Sequence, residues 1–159
     1  MTIYATNGSK LFIGAALAAK STDFVAADFT PQTWVPIGEI EALGTLGDAA
    51  AEISFDSISS SRTRRLKGTR NAGSMEVVAG LDYNDPGQLA VIAAEKTAHD
   101  YAFRLVLNDA PPGGTPSERL FVGKVASASE AYDSANSVVK LNMTLWVNSN
   151  VVKIDADAP

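Results

Sequence analysis

The stretch Ser137-Val138-Val139-Lys140-Leu141-Asn142-Met143-Thr144-Leu145-Trp146-Val147 decides the fold class. Val139, Leu141, Met143, Leu145 and Val147 recur at every second position, and Lys140, Asn142, Thr144 and Trp146 fill the places between them. A strand sends successive side chains to opposite faces, so this period of two marks a strand buried on one side. The same rhythm runs through Tyr101, Phe103, Leu105 and Leu107, with Ala102, Arg104 and Val106 between. It runs again through Met75, Val77, Ala79 and Leu81, with Glu76, Val78 and Gly80 between. Shorter candidate strands span 11–18, 34–40, 52–58 and 119–126, bounded by Gly, Pro, Ser and Asn. The chain therefore reads as mainly antiparallel sheet.

One helix interrupts the strands. Asp85-Pro86-Gly87-Gln88 is a start signal: Asp85 is the N-cap, Pro86 sits in the first turn where its missing N–H costs nothing, and Gln88 is placed to complete a capping box. Leu89, Ile92, Ala93 and Lys96 follow at helical spacing. They predict a stripe packed on the sheet, with Glu95 facing water and His99-Asp100 ending the helix. Three segments read as irregular: a serine-rich, basic loop at 57–74, a turn or hairpin tip at 108–117 around Pro111-Pro112-Gly113-Gly114, and a short acidic tail at 154–159. Neither repeat nor linker divides the chain, so residues 1–159 form one domain, long enough to enclose a core.

Composition narrows the function. Without cysteine there is no disulfide framework, thiolate metal site or cysteine nucleophile. No apolar stretch approaches the length needed to cross a bilayer, so membrane insertion is not expected. The apolar run 11–19 follows Lys10, but Met1 to Ser9 carries no charged side chain, where a signal peptide wants basic residues. A strand opening the domain is the better reading.

The net charge of −5 disfavours anionic partners for the protein as a whole, yet the charges are sorted along the chain. Between Ser21 and Ser61 every charged residue is acidic: Asp23, Asp28, Glu39, Glu41, Asp48, Glu52 and Asp56. Arg62, Arg64, Arg65, Lys67 and Arg70 follow at once.

Catalytic patterns are weak. The sole histidine, His99, stands beside Asp100 in sequence, where strand neighbours point apart, and no serine occupies a nucleophile elbow. The carboxylates show no calcium-loop spacing, and Gly44-Thr45-Leu46-Gly47-Asp48 lacks the lysine of a phosphate-binding loop. Neither an enzymatic activity nor a cofactor or metal is expected. The basic stretch 62–70 is able to bind phosphates, but it has no aromatic side chain for stacking bases. A solvated loop is the plain alternative. A contact with the acidic region of another copy is favoured, because the planar guanidinium pairs bidentately with carboxylates. Trp146 lies on the polar side of its strand, which leaves it either covered by a neighbouring subunit or packed within its own domain.

Taken in order, these elements resemble the major tail tube proteins of siphophages and gene transfer agents. The resemblance is carried by Trp34-Val35-Pro36-Ile37-Gly38-Glu39-Ile40 with Leu43-Gly44, Ile53-Ser54-Phe55, Arg64 through Gly73, Leu81-Asp82-Tyr83, Asp85-Pro86-Gly87-Gln88 and Phe121-Val122-Gly123-Lys124-Val125. It covers most of the chain. It implies a β-sandwich or partly closed barrel flanked by one helix, sixfold rings, and rings stacked into a hollow virion tube that delivers DNA. Tail-initiating, terminating and tape-measure proteins would be its partners, the host cytoplasm its place of assembly. On this resemblance the loop 57–74 reaches the adjacent ring through Arg62, Arg64, Arg65, Lys67 and Arg70. Glu39, Glu41, Asp48, Glu52 and Asp56 would line the lumen or face the neighbouring ring, where an acidic wall repels phosphates. No appended C-terminal domain is expected. The rivals are another ring-forming component, such as a tail terminator or a secretion-system tube protein, and a nucleic-acid-binding β-barrel using the basic loop.

Overall fold

Pairing partners turn the alternating stretches into one continuous sheet. The computed structural model describes residues 2–159; Met1, the first residue of the expected domain, lies outside them. The strands are β1 (Lys10–Ala16), β2 (Val35–Ile37), β3 (Ile40–Ala42), β4 (Ala49–Phe55), β5 (Arg64–Asn71), β6 (Ser74–Gly80), β7 (Tyr101–Val106), β8 (Glu118–Ala131), β9 (Lys140–Val147) and β10 (Val152–Ile154). The helix α1 (Pro86–Glu95) lies between β6 and β7, and a 3-10 turn, Ala26–Phe29, lies between β1 and β2.

The main sheet runs β2-β1-β7-β8-β9-β6-β3, with β10 beside β8. Its pairings are all antiparallel. The two ends of this order, β2 and β3, are separated in sequence only by Gly38 and Glu39. They are one strand broken by a kink: its first half pairs with β1 and its second with β6. The chain itself thereby joins the edges of the rolled sheet, and the architecture is a barrel flanked by one helix. Glu39 makes the kink with φ of 57°, a left-handed conformation uncommon outside glycine.

Alternation fills the barrel. Leu141, Met143, Leu145 and Val147 of β9 are buried with Met75, Val77 and Ala79 of β6 and Leu11 and Ile13 of β1. Phe103 and Phe121 stand opposite each other on β7 and β8 and stack at 5.3 Å between ring centroids. Outside the barrel, the other face of β7 and β8 packs Ala102, Leu120 and Val122 against Phe24 and Phe29 around the 3-10 turn. The phenylalanines follow no strand or helix period, so this second cluster escapes a reading by periodicity.

The helix begins as expected, with the Asp85 carboxylate accepting from the Gln88 N–H at 2.9 Å. Its buried face differs from the expected stripe. Gly87, Gln88, Val91 and Ala94 face inward, while Leu89, Ala93 and Lys96 are exposed; Ile92 is half-buried. Nor does Gln88 reach back to close a capping box. Its amide is fully buried: Oε1 accepts from the Asp82 N–H, and Nε2 donates to the Gly38 and Gly80 carbonyls. The helix starts here because its first turn meets β2 backbone to backbone. A Cβ on Gly87 would lie 2.0 Å from the Pro36 carbonyl oxygen. The helix stops at Glu95, four residues short of His99.

Two segments read as irregular carry ladder hydrogen bonds. β5 (Arg64–Asn71) occupies the second part of the expected loop 57–74, pairing with β4 from Asn71↔Ala49 to Arg64↔Phe55 and leaving 56–63 as the tip. The expected tail at 154–159 is tied down: Ile154 closes β10, and Asp157 exchanges backbone hydrogen bonds with Thr115. Edge backbone groups captured in this way cannot be read from composition.

Candidate assembly surface

The hairpin β4–β5 is a separate two-stranded ribbon whose strands ladder only with each other. It prolongs β3 and β6 beyond the barrel: β4 follows β3 after Leu43–Asp48, and β5 runs into β6 through Ala72–Gly73. Register sorts its side chains. Ile53 stands opposite Leu66 and Phe55 opposite Arg64 on one face; Glu52 stands opposite Lys67 and Ser54 opposite Arg65 on the other. All eight are exposed. The apolar face thus presents Ile53, Phe55 and Leu66 to solvent, and Ile58 projects fully exposed from the tip.

The basic residues sit along this ribbon. Arg65 Nε donates to Glu52 at 2.8 Å, and Arg70 Nε donates to Asp48 at 2.7 Å near the root. The Asp48 carboxylate holds the Arg70 guanidinium above its ordinary range by hydrogen bonding and charge. Two of the five expected contact cations therefore already have a carboxylate within their own chain. Both pairs are exposed, and pairs of that kind add little stability. Arg62, Arg64 and Lys67 form no ion pair among the described residues.

The five carboxylates read as one acidic surface fall into two groups. Asp48, Glu52 and Asp56 lie at the root, on a strand and at the tip of the hairpin, whereas Glu39 and Glu41 lie at the far end of β6. Glu41 accepts from Lys140 there at 2.8 Å. Proximity in sequence missed this division because β3 and β4 run away from the kink. The far end holds a groove lined by Glu39, Ile40, Glu41, Gly80, Asp133, Ser137, Val138 and Lys140.

A third exposed surface is the outer face of β6 and β9, where Trp146 stands opposite Ser74 and Thr144 opposite Glu76. Trp146 is 53% exposed, which rules out packing inside its own domain. His99 is exposed in the turn after α1. Among the described residues no group of three or more His, Asp or Glu is placed to hold a metal ion, and no helix is long and apolar enough to cross a membrane.

The fold is thus a barrel closed by a kinked strand, flanked by one helix and extended by a projecting hairpin. The fold matches a chain of the baseplate of the anti-feeding prophage, solved as a six-fold symmetrised assembly. The TM-score is 0.69 at 12% identity, covering 98% of each chain. It matches the SPP1 tail tube with a TM-score of 0.62 at 16% identity, over 99% of this chain and 81% of that one. It also matches a chain of the sheath/tube terminator of an extracellular contractile injection system, PVC, with a TM-score of 0.68 at 9% identity, over 97% and 98%. No family profile and no curated protein sequence matches the chain. The tail-tube-like fold expected from the sequence is the fold observed.

Proposed function

We propose that the chain is a structural subunit that forms rings, and that the rings stack into a hollow virion tube through which DNA passes. The projecting hairpin carries this reading. A two-stranded ribbon alone in water is marginally stable, and this one exposes Ile53, Phe55, Ile58 and Leu66. A neighbouring subunit is the partner that covers this face and pairs its two open edges. The likeness to tail tube, baseplate and terminator chains supports the role, and the six-fold symmetrised assembly that holds one of them supports a hexameric ring. The surplus of carboxylates over basic residues, 18 to 13, suits a bore that repels DNA phosphates. On this reading the subunit acts by assembly rather than catalysis, inside a phage or gene transfer agent tail. It would meet tail-initiating, terminating and tape-measure proteins and be put together in the host cytoplasm.

The experiment is sedimentation across a concentration series followed by negative-stain microscopy. Rings and tubes are the expected result, and a chain that stays monomeric at high concentration overturns the reading. Isolated rings without tubes would assign it to the terminator class, which the likeness to a sheath/tube terminator favours as the second reading. Salt-dependent binding to duplex DNA with a slope of several ions would instead favour a nucleic-acid-binding barrel.

A further inference from the structure

The β4–β5 ribbon differs from the rest of the molecule in charge as well as in packing. From Asp48 to Asn71 it carries five of the 13 basic side chains, Arg62, Arg64, Arg65, Lys67 and Arg70, and three of the 18 carboxylates, Asp48, Glu52 and Asp56. Asp48 and Glu52 are already held by Arg70 and Arg65, which leaves Arg62, Arg64 and Lys67 against Asp56. The net charge of −5 therefore belongs to the barrel. Distance keeps the two apart, because β4 is seven residues long and sets the tip about 20 Å from the root of the ribbon at the rise of a strand. Surface charges are screened over about 8 Å at physiological salt, so an anionic surface at the tip meets the arginines and not the carboxylates of the barrel.

Apolar side chains share this end of the molecule. Ile53, Phe55 and Leu66 stand half or more exposed on one face, and Ile58 is fully exposed at the tip. Arg64 lies on the same face opposite Phe55, and its long stem allows the guanidinium to reach a polar layer while the stem covers apolar surface. A small soluble anion would engage the cations and leave all four apolar side chains in water. A nucleic acid would need rings on which bases stack, and Phe55 is the single aromatic residue between 48 and 71. An anionic lipid surface accommodates both sets of groups: its headgroups take the cations and its acyl boundary takes the apolar side chains.

We infer that the β4–β5 ribbon, wherever no second copy covers it, docks on an anionic lipid surface. Ile58 enters first, Phe55, Leu66 and Ile53 follow into the boundary between headgroups and acyl chains, and Arg62 and Arg64 pair with lipid phosphates. Two strands of seven and eight residues with open edges do not cross a bilayer, so the ribbon seats at its surface. The inference goes beyond the assembly reading and does not require it. It concerns the unassembled chain and, in a stack, the end ring whose hairpins meet no neighbour.

The test is flotation of the full chain, at a concentration where sedimentation shows no rings, with vesicles of equimolar phosphatidylcholine and phosphatidylglycerol or of phosphatidylcholine alone. Partition into the anionic vesicles should exceed that into the neutral ones by more than about tenfold and should fall as salt is raised. Phe55→Ser/Ile58→Ser keeps every charge and should lose most of the binding; undiminished binding would mean a purely ionic association and overturn the seating. Arg62, Arg64 and Arg65 are trypsin sites, and anionic vesicles should slow cleavage there while neutral vesicles leave it unchanged. Protein that floats with neither vesicle, or equally with both, overturns the inference. So does vesicle-bound protein cut within 62–65 at the free rate, because another surface would then hold it. A chain that forms tubes but does not float removes this inference and leaves the assembly reading standing, and a chain that floats but never assembles does the reverse.

Discussion

Gln88 shows how one residue closes this barrel. Its buried amide satisfies the Asp82 N–H and the Gly38 and Gly80 carbonyls, binding the kink of the broken strand, the end of β6 and the helix start into one node. Removing the amide leaves three backbone groups without their partner, and each buried unsatisfied group costs roughly 1–3 kcal/mol. Gln88→Ala should therefore lower the unfolding free energy by about 3 kcal/mol, less where water reaches the node. Urea titration reads this as a lower midpoint at unchanged slope. The residue was legible as a helix-start signal but not as a buried node. A glutamine inside a core carries no apolar mark, and its three partners come from segments up to 50 residues away. The sequence-based stripe through Leu89 was displaced for the same reason, because the inward face begins with Gly87 and Gln88, which a hydrophobic pattern skips. A pH effect also belongs to this scale. Asp109 accepts from both the N–H and the hydroxyl of Ser117, and these hydrogen bonds hold its carboxyl below the ordinary aspartate range. A depressed pKa stabilises the folded chain above the unfolded value near 4 and loses that contribution as pH falls through the folded value. Melting temperatures between pH 5 and 2.5 should fall less steeply in Asp109→Asn than in the parent.

At the scale of elements, β9 and β5 explain what a sequence shows and what it hides. β9 is legible because one face is buried and the other wet, so Leu141, Met143 and Leu145 alternate with Asn142, Thr144 and Trp146. β5 has no buried face within this chain. Arg64, Arg65, Leu66 and Lys67 are all exposed, and a strand without a core presents the composition of a loop. The groove was hidden differently, since it gathers the kink, the end of β6 and the β8–β9 connection, and only the register joins them. A ribbon supported by one ladder opens at low cost. Its tip also offers trypsin Arg62, Arg64 and Arg65. Limited trypsin should therefore cut unassembled protein first within 62–65, leaving two fragments that mass spectrometry assigns, and should spare the same bonds in the polymer. Equal cleavage rates in both states would mean that assembly leaves the hairpin uncovered.

The whole molecule has a polarity: a tip at one end and a groove at the other. Reversing charge at the tip tests whether stacking uses it, and the hairpin's own ion pairs decide which residues to change. Arg65→Glu would break the contact with Glu52 and damage the ribbon, whereas Arg62 and Arg64 make no such pair among the described residues. Arg62→Glu/Arg64→Glu is the cleaner variant, and its circular dichroism should match the parent. On the assembly reading its tip would meet the carboxylates of a neighbouring subunit with like charge. Alone it should fail to stack. Mixed into normal protein it should shorten tubes, because each ring that takes up variants stacks through fewer normal tips. Mean tube length in micrographs should then fall as the variant fraction rises, at constant concentration of normal protein. If the variant were merely inert it would dilute the normal protein, and length would follow the concentration of normal chains alone. Normal tubes built from the variant by itself would show that stacking runs through some other surface, with the outer face around Trp146 the first to examine.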